Sequence, residues 1–220
     1  MLTFNATEAA GADRISSAVK ESGPYVGTIT RAEKIVSSTG TLGLGLSFKA
    51  DNGQSADYLD LYTHKADGAV LPSAKTVQAI LGCLQLRGAQ DGKIIVEKYN
   101  KDTKQRDKVT VDGYPDLMGK RIGFLLQQEL GTNSKTGEDT ERIVIYGVFQ
   151  HETRLTVSEI LARKTAPETL DKMIASMPAV RDNRKKGRGN GASSHGDNGF
   201  GGYGFDAPPQ GGAGFDDIPW

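Results

Sequence analysis

Apolar and polar residues alternate through the first third of the chain. Residues 24–37 alternate and are rich in valine, isoleucine and threonine, which predicts a strand. Residues 41–49 keep a strict period of two. Leu42, Leu44, Leu46 and Phe48 fall on one face, and Gly43, Gly45, Ser47 and Lys49 on the other. Residues 56–64 predict a third strand, with Leu59 and Leu61 on one face and Tyr58, Asp60 and Tyr62 on the opposite one. The period then changes. Val77, Ile80, Leu81 and Leu84 recur at helical spacing over residues 73–86, with Ser73 at the N-cap. Residues 93–99 and 108–111 predict the arms of a hairpin, and residues 119–130 and 142–150 those of another, joined by turn chemistry. Two short helices close the body. Thr156 with Glu159, and Thr165 with Glu168, have capping-box spacing, and Pro167 suits a first helical turn. Leu170, Met173, Ile174 and Met177 form a stripe on the second helix, expected to pack onto the body.

Three strands, a helix and further strands is the order of an OB-fold, a small, partly open barrel whose face and loops bind oligonucleotides. Residues 24–150 exceed a minimal barrel, so long hairpins or extra strands are expected; a β-sandwich of similar strand count shares the pattern. The expected class is mostly β with a few helices: an OB-fold-like core over residues 1–180, with strands at 24–150 and helices at 156–177, then a disordered tail over 181–220.

Composition sharpens the picture at the C-terminal end. Lys+Arg and Asp+Glu both total 27, which argues against a uniformly basic coat for nucleic acid but leaves room for a local groove. All five bases of residues 181–220 lie between Arg181 and Arg188, and four of the five acids follow them. Eleven of the 34 residues from Gly187 onward are glycine, too little apolar surface to offset ordering entropy. Within this stretch Gly204-Phe205-Asp206-Ala207-Pro208 is echoed by Gly214-Phe215-Asp216-Asp217-Ile218-Pro219. The N-terminus has no basic region followed by an apolar stretch, and no apolar run approaches the ~20 residues that span a bilayer. A soluble protein of the cytoplasm is therefore expected.

Enzyme signatures are few. No G-x-x-x-x-G-K-[ST] phosphate loop occurs, and Gly43-Leu44-Gly45 sits inside a strand without the third glycine of a dinucleotide fingerprint. Those glycines suit tight backbone packing or a surface left flat for a ligand. His64, His151 and His195 are far apart, and Pro115-Asp116 is followed by no convincing Asp/Glu-x-Lys of a metal nuclease. The single cysteine, Cys83, rules out a disulfide framework within one chain and reads as a buried hydrophobe. No catalytic activity, metal or cofactor is expected.

Single-strand binding needs cations that track phosphates and aromatic faces that stack bases. The segment from Lys98 to Lys108 supplies both. Lys98, Lys101, Lys104, Arg106 and Lys108 stand against two acids, with Tyr99 among them, on a predicted hairpin tip. Tyr58 and Tyr62 face away from the leucines and suit stacking or cover by a neighbouring loop, although Asp60 between them repels phosphate. Arg31, Lys34 and Lys49 on the first two strands are candidates for the same groove; Lys120 and Arg121 are weaker ones.

The chain ends Phe215-Asp216-Asp217-Ile218-Pro219-Trp220. This end resembles the C-terminal tip of bacterial-type single-stranded DNA-binding proteins, an acidic run followed by Ile-Pro-Phe after a Gly-rich linker. Trp220 stands where the family has Phe. Residues 1–180 have no convincing match to the family's core, which points to a divergent, bacteriophage-type version. The resemblance implies a protein that coats single-stranded DNA and recruits replication, recombination or repair proteins through Asp216, Asp217, Ile218, Pro219 and Trp220. An RNA-binding or RNA-chaperone protein with a Gly-rich tail is the alternative, against which stand the acidic end and the lone Arg188-Gly189 pair.

Overall fold

The alternating stretches become strands and the helical one a helix. A computed structural model describes residues 17–100, 104–133 and 136–184, with backbone alone for Tyr99, Asn100 and Arg106. The strands are β1 (Gly23–Val36), β2 (Leu42–Ala50), β3 (Ser55–His64), β4 (Gly92–Asn100), β5 (Gln105–Gly113), β6 (Arg121–Thr132), β7 (Asp139–Phe149) and β8 (Val180–Asp182). Among the described residues the α-helices are α1 (Ser73–Cys83), α2 (Val157–Leu161) and α3 (Glu168–Ser176), and a 3-10 turn spans Pro115–Leu117. The protein is mostly β, and none of these helices is long and apolar enough to cross a membrane.

All eight strands belong to one sheet. β1 pairs antiparallel with β2, which pairs antiparallel with β3. The other edge of β1 is shared. Residues 23–28 pair with β6, and further along Glu33 pairs with Gly113 of β5. β4 hangs on β5, β7 runs antiparallel along β6, and β8 joins β6 in parallel, with Gln128 opposite Val180. Ser22 ties the place where β1 and β8 both begin: its hydroxyl donates to the Ala179 carbonyl and accepts from the Gln128 amide.

The sheet is open. Among the described residues no ladder joins β3 to β7; α1 lies against both strands instead. Ile80 and Cys83 of α1 are buried with Ile29, Leu44, Leu46, Phe48, Leu59, Leu61, Ile122, Phe124 and Leu126 in the main core. Phe48 meets Phe124 edge-on, with ring centroids 5.0 Å apart. Burial pushes the Cys83 thiol up to about 12, so it stays a neutral, inert core group. A second, smaller cluster lies on the other side of β6, where Leu125 and Phe149 meet Leu170 of α3, with Met173, Ile174 and Met177 against them. β6 is thus covered on both faces, which explains its unbroken buried run.

Three local expectations are revised. Pro72, not Ser73, holds the N-cap of α1, without a side-chain cap. The Thr156–Glu159 capping box forms, but the Thr165–Glu168 one does not, because α3 begins after Pro167. Its start is capped from α2: Glu159 accepts the Thr169 amide at 2.7 Å while also holding the amide and hydroxyl of Thr156, both at 2.9 Å. Arg181 and Asp182, expected in the disordered tail, belong to β8 (Val180–Asp182), and Arg184, also expected there, bonds Asp182 and Asp139. Residues 185–220, including the rest of the expected tail and the Asp216–Trp220 tip, lie outside the described residues.

Glu159 is almost fully buried. Burial alone raises its carboxyl, but the donors from Thr156 and Thr169 hold it below the usual glutamate range. A lowered folded-state value contributes stability above the unfolded-state pKa and loses it as pH falls through the folded one. Glu159→Ala is therefore expected to cost roughly 2–3 kcal/mol at neutral pH, since two amides lose a charged acceptor. Chemical denaturation of both forms should show this gap narrowing as pH drops below the ordinary glutamate range.

Candidate nucleic-acid interface

Ser47, in the middle of β2, is flanked by a bulge on each side. On β1 the register steps from Ile29 opposite Phe48 to Arg31 opposite Ser47, leaving Thr30 as the extra residue. On β3 it steps from Leu59 opposite Leu46 to Ala56 opposite Phe48, so Asp57 and Tyr58 share the space across from Ser47. Bulges bend a strand and re-aim side chains. Here they turn Arg31 and Tyr58 towards one another on the face away from the main core. The Arg31 guanidinium stands over the Tyr58 ring, 5.8 Å from its centroid. Tyr58 adopts a left-handed backbone, φ 58°, and is 74% exposed. A non-glycine residue in that region is strained, and its persistence shows that surrounding structure over-determines it.

Glu33 locks the other side of Arg31. It is 8% exposed and accepts the Arg31 guanidinium at 2.8 Å and the Lys98 ammonium, from β4, at 2.7 Å. Burial alone raises the Glu33 carboxyl; the hydrogen bonds from Lys98 and then Arg31 override this and hold it below the usual range. The Lys98–Glu33 pair ties the β4–β5 hairpin to β1; Ile94, Val96 and Lys98 share one face of β4, and the first two are buried. Gly45 lies between Glu33 and Asp60 in the cross-strand row. A Cβ there would stand 2.9 Å from Ile35, 3.0 Å from Arg31 and 3.2 Å from Asp60. At Gly43 a Cβ would lie 2.8 Å from the Leu61 carbonyl. Of the two uses expected for these glycines, tight packing under neighbouring groups is the one observed.

The structure divides the expected groove residues. Arg31, Tyr58, Tyr62 and Lys98 gather on one face. Tyr62, 36% exposed, also leans over Gly43, with its Cδ1 3.1 Å from where a Cβ would stand, so it serves partly as cover. Lys49 is exposed at the far end of β2 on the same face. Lys34 belongs to the opposite face: it follows Glu33, pairs in register with Leu44, and bonds Asp91 at 2.8 Å beside an apolar cavity lined by Leu42, Leu44, Val77, Leu81 and Tyr114. It does not share a groove with Arg31. Arg121 pairs with Asp51 at 2.7 Å, and Lys120 is exposed. On the hairpin, Lys104 is exposed at φ 54°, and Lys108 sits across from Glu97, on the face opposite Lys98. Tyr99 and Arg106 pair in register; Lys101 lies outside the described residues.

No protein-family model matches this chain, and no curated protein matches it in sequence. Among the described residues no group of three histidine, cysteine or carboxylate side chains is placed to hold a metal.

Glu33 is the residue missed in the sequence. Its adjacency to Arg31 on one strand face was legible from the i, i+2 spacing, whereas its link to Lys98 spans 65 positions and depends on how the hairpin docks. Chemically, the face offers one open aromatic ring backed by a guanidinium, a half-covered second ring, and a rim of exposed lysines. The strain at Tyr58 has a direct test. Glycine takes a left-handed backbone without steric cost, so Tyr58→Gly is expected to exceed Tyr58→Ala in stability by about 1 kcal/mol, read by denaturant unfolding.

Proposed function

We propose that the protein binds and covers single-stranded DNA on the outer face of β1–β3 with the β4–β5 hairpin beside it, and recruits replication, recombination or repair proteins through its C-terminal tip, in the cytoplasm of a bacterium or a phage-infected cell, with no catalytic step of its own. The observation that carries this reading is Tyr58: a strained, exposed ring with Arg31 on one side and solvent on the other. A base stacks on such a ring whatever its identity, which is the chemistry of sequence-tolerant single-strand binding.

The connectivity supports an OB-fold-like barrel. β1, β2 and β3 run in order, α1 follows, and β6 returns to β1 with β7 beyond it. On this reading β4–β5 is an inserted hairpin that extends the binding face, and α1 fills the gap between β3 and β7. The tip adds a large apolar residue and two aspartates, suited to an apolar pocket with a basic rim on a partner.

The full chain should bind labelled single-stranded DNA better than duplex DNA or RNA, and more weakly as salt rises because counterions are released. Tyr58→Ala should cost ~1–3 kcal/mol of affinity and Tyr62→Ala less, since Tyr62 is half spent on Gly43. Charge reversal at Lys101, Lys104 and Arg106 should weaken binding in a folded protein. Preference for RNA, or full affinity in Tyr58→Ala, would overturn the reading.

The tip has its own readout. Trp220 is the only tryptophan. Its emission should change little with single-stranded DNA and shift blue with a tip-binding replication or repair protein. Trp220→Phe should keep the partner, and removing Ile218–Trp220 should abolish its binding while DNA coating survives. The opposite pattern would place the tip in the DNA site.

A further inference from the structure

Asp60 stands on the outer face between Tyr58 and Tyr62, across Gly45 from Glu33. It is exposed, and no hydrogen bond or ion pair to a described residue holds its carboxylate. Arg31 is its nearest cation on the face, yet that guanidinium is bonded to Glu33. Arg31 and Lys98 supply two positive charges and Glu33 and Asp60 two negative ones, so the centre of the face is neutral overall, with the Asp60 carboxylate held by no described partner. Partial burial, opposed by Arg31 and reinforced by the nearby Glu33 carboxylate, raises the Asp60 carboxyl above its usual range.

A phosphate beside Asp60 would be repelled, and the central cations are already neutralised. A strand on this face must therefore turn its bases inward and leave its phosphates to the rim, where Lys49 and Lys104 are exposed. A carboxylate only accepts hydrogen bonds, through two oxygens side by side. Guanine alone presents two adjacent donors, N1–H and the N2 amino group, on its Watson–Crick edge. Adenine and cytosine offer one amino group beside a ring acceptor. Thymine offers one N–H between two carbonyls, which a carboxylate repels.

We propose that Asp60 reads the Watson–Crick edge of a guanine stacked on Tyr58, giving an otherwise sequence-tolerant surface one base-selective position. This rests on the single-strand reading above. It makes Asp60 a specificity residue rather than a flaw in a phosphate groove, and it gives Gly45 a purpose, since a side chain there would crowd the carboxylate from beneath.

The test is fluorescence anisotropy of the full chain with short oligothymidines carrying one central guanine, inosine, adenine, cytosine or thymine. The guanine strand should bind about tenfold tighter than the all-thymine strand, the scale of one good bidentate base contact. Inosine keeps N1–H but lacks the amino group and should fall between. The preference should persist as salt rises while overall affinity declines, because it is a hydrogen-bond difference at constant phosphate number. Asp60→Asn should reduce the guanine-to-thymine ratio to about one and raise affinity for oligothymidine, as a repulsive charge is removed; Asp60→Ala should abolish the ratio as well. Equal binding of all strands by the unaltered protein, or a guanine preference that survives both substitutions, overturns the role of Asp60 and leaves single-strand binding standing. Failure of the unaltered protein to bind any strand overturns both.

Discussion

One edge of β1 holds two partners in succession, and the arrangement of the sheet follows from that sharing. Backbone groups of residues 23–28 are taken by β6, and the next stretch of the edge is free for β5 only around Glu33. Each partner must leave the edge where the other begins. The β4–β5 hairpin is consequently attached at its base. Gly113 faces Glu33 in the ladder, and the Tyr114 amide donates to the Ala32 carbonyl at 2.9 Å. A Cβ at Gly113 would lie 2.4 Å from that same carbonyl, so the closeness of this junction requires glycine. The far half of the hairpin is tied back to β1 by a side chain, Lys98 on Glu33.

The paired bulges around Ser47 are the second consequence. β2 is itself regular, but each neighbour carries one residue too many at the same level, and the surplus is resolved by kinking both strands outward. That places a guanidinium and a strained tyrosine together. The strain of the left-handed Tyr58 is of the order of 1–3 kcal/mol and has to be met by the packing of Leu59 and Leu61 behind it. Ala56 on one side of the bulge and Leu59 and Leu61 on the other are all buried, which leaves the backbone no other register, because a slip of one residue would send them to solvent. The core thus holds the candidate site in its high-energy form before any ligand arrives.

The helices complete the sheet in different ways. α1 covers the opening where β3 and β7 are not bonded, and its apolar stripe belongs to the main core. α3 lies on the reverse of β6 and β7, where Met173 packs so closely that a Cβ on Gly147 of β7 would stand 2.4 Å from its methyl carbon. Glu159 joins α2 to α3 through one carboxylate, substituting for a cap that the α3 sequence does not provide from within.

The approximate places of β1 to β7, a helix starting at Ser73 (expected to run to residue 86, observed to end at Cys83), the leucine face of β2, the outward tyrosines and the apolar stripe of α3 were all legible in the sequence alone, because each depends on a period of two or 3.6 residues within one segment. Tyr58 and Tyr62 were identifiable as outward aromatics for the same reason, whereas Arg31 was legible only as a cation on the first strand and Lys98 only as one of the hairpin cations, since period two puts Lys98 on the face of the buried Ile94 and Val96. Period alone does not count bulges. The extra residues at Thr30 and in the Asp57–Tyr58 pair leave the hydrophobic alternation readable while changing where side chains aim. The position of Lys34 shows the limit: it sits one residue from Glu33, and strand parity sends it to the cavity side with Asp91 instead of to the groove. Pairings across long separations, such as Glu33 with Lys98, Thr169 with Glu159, and β8 along β6, were decided only by the tertiary structure. Their energy comes from groups that meet after the sheet has closed around its core, and nothing in the local spacing of either partner encodes the other.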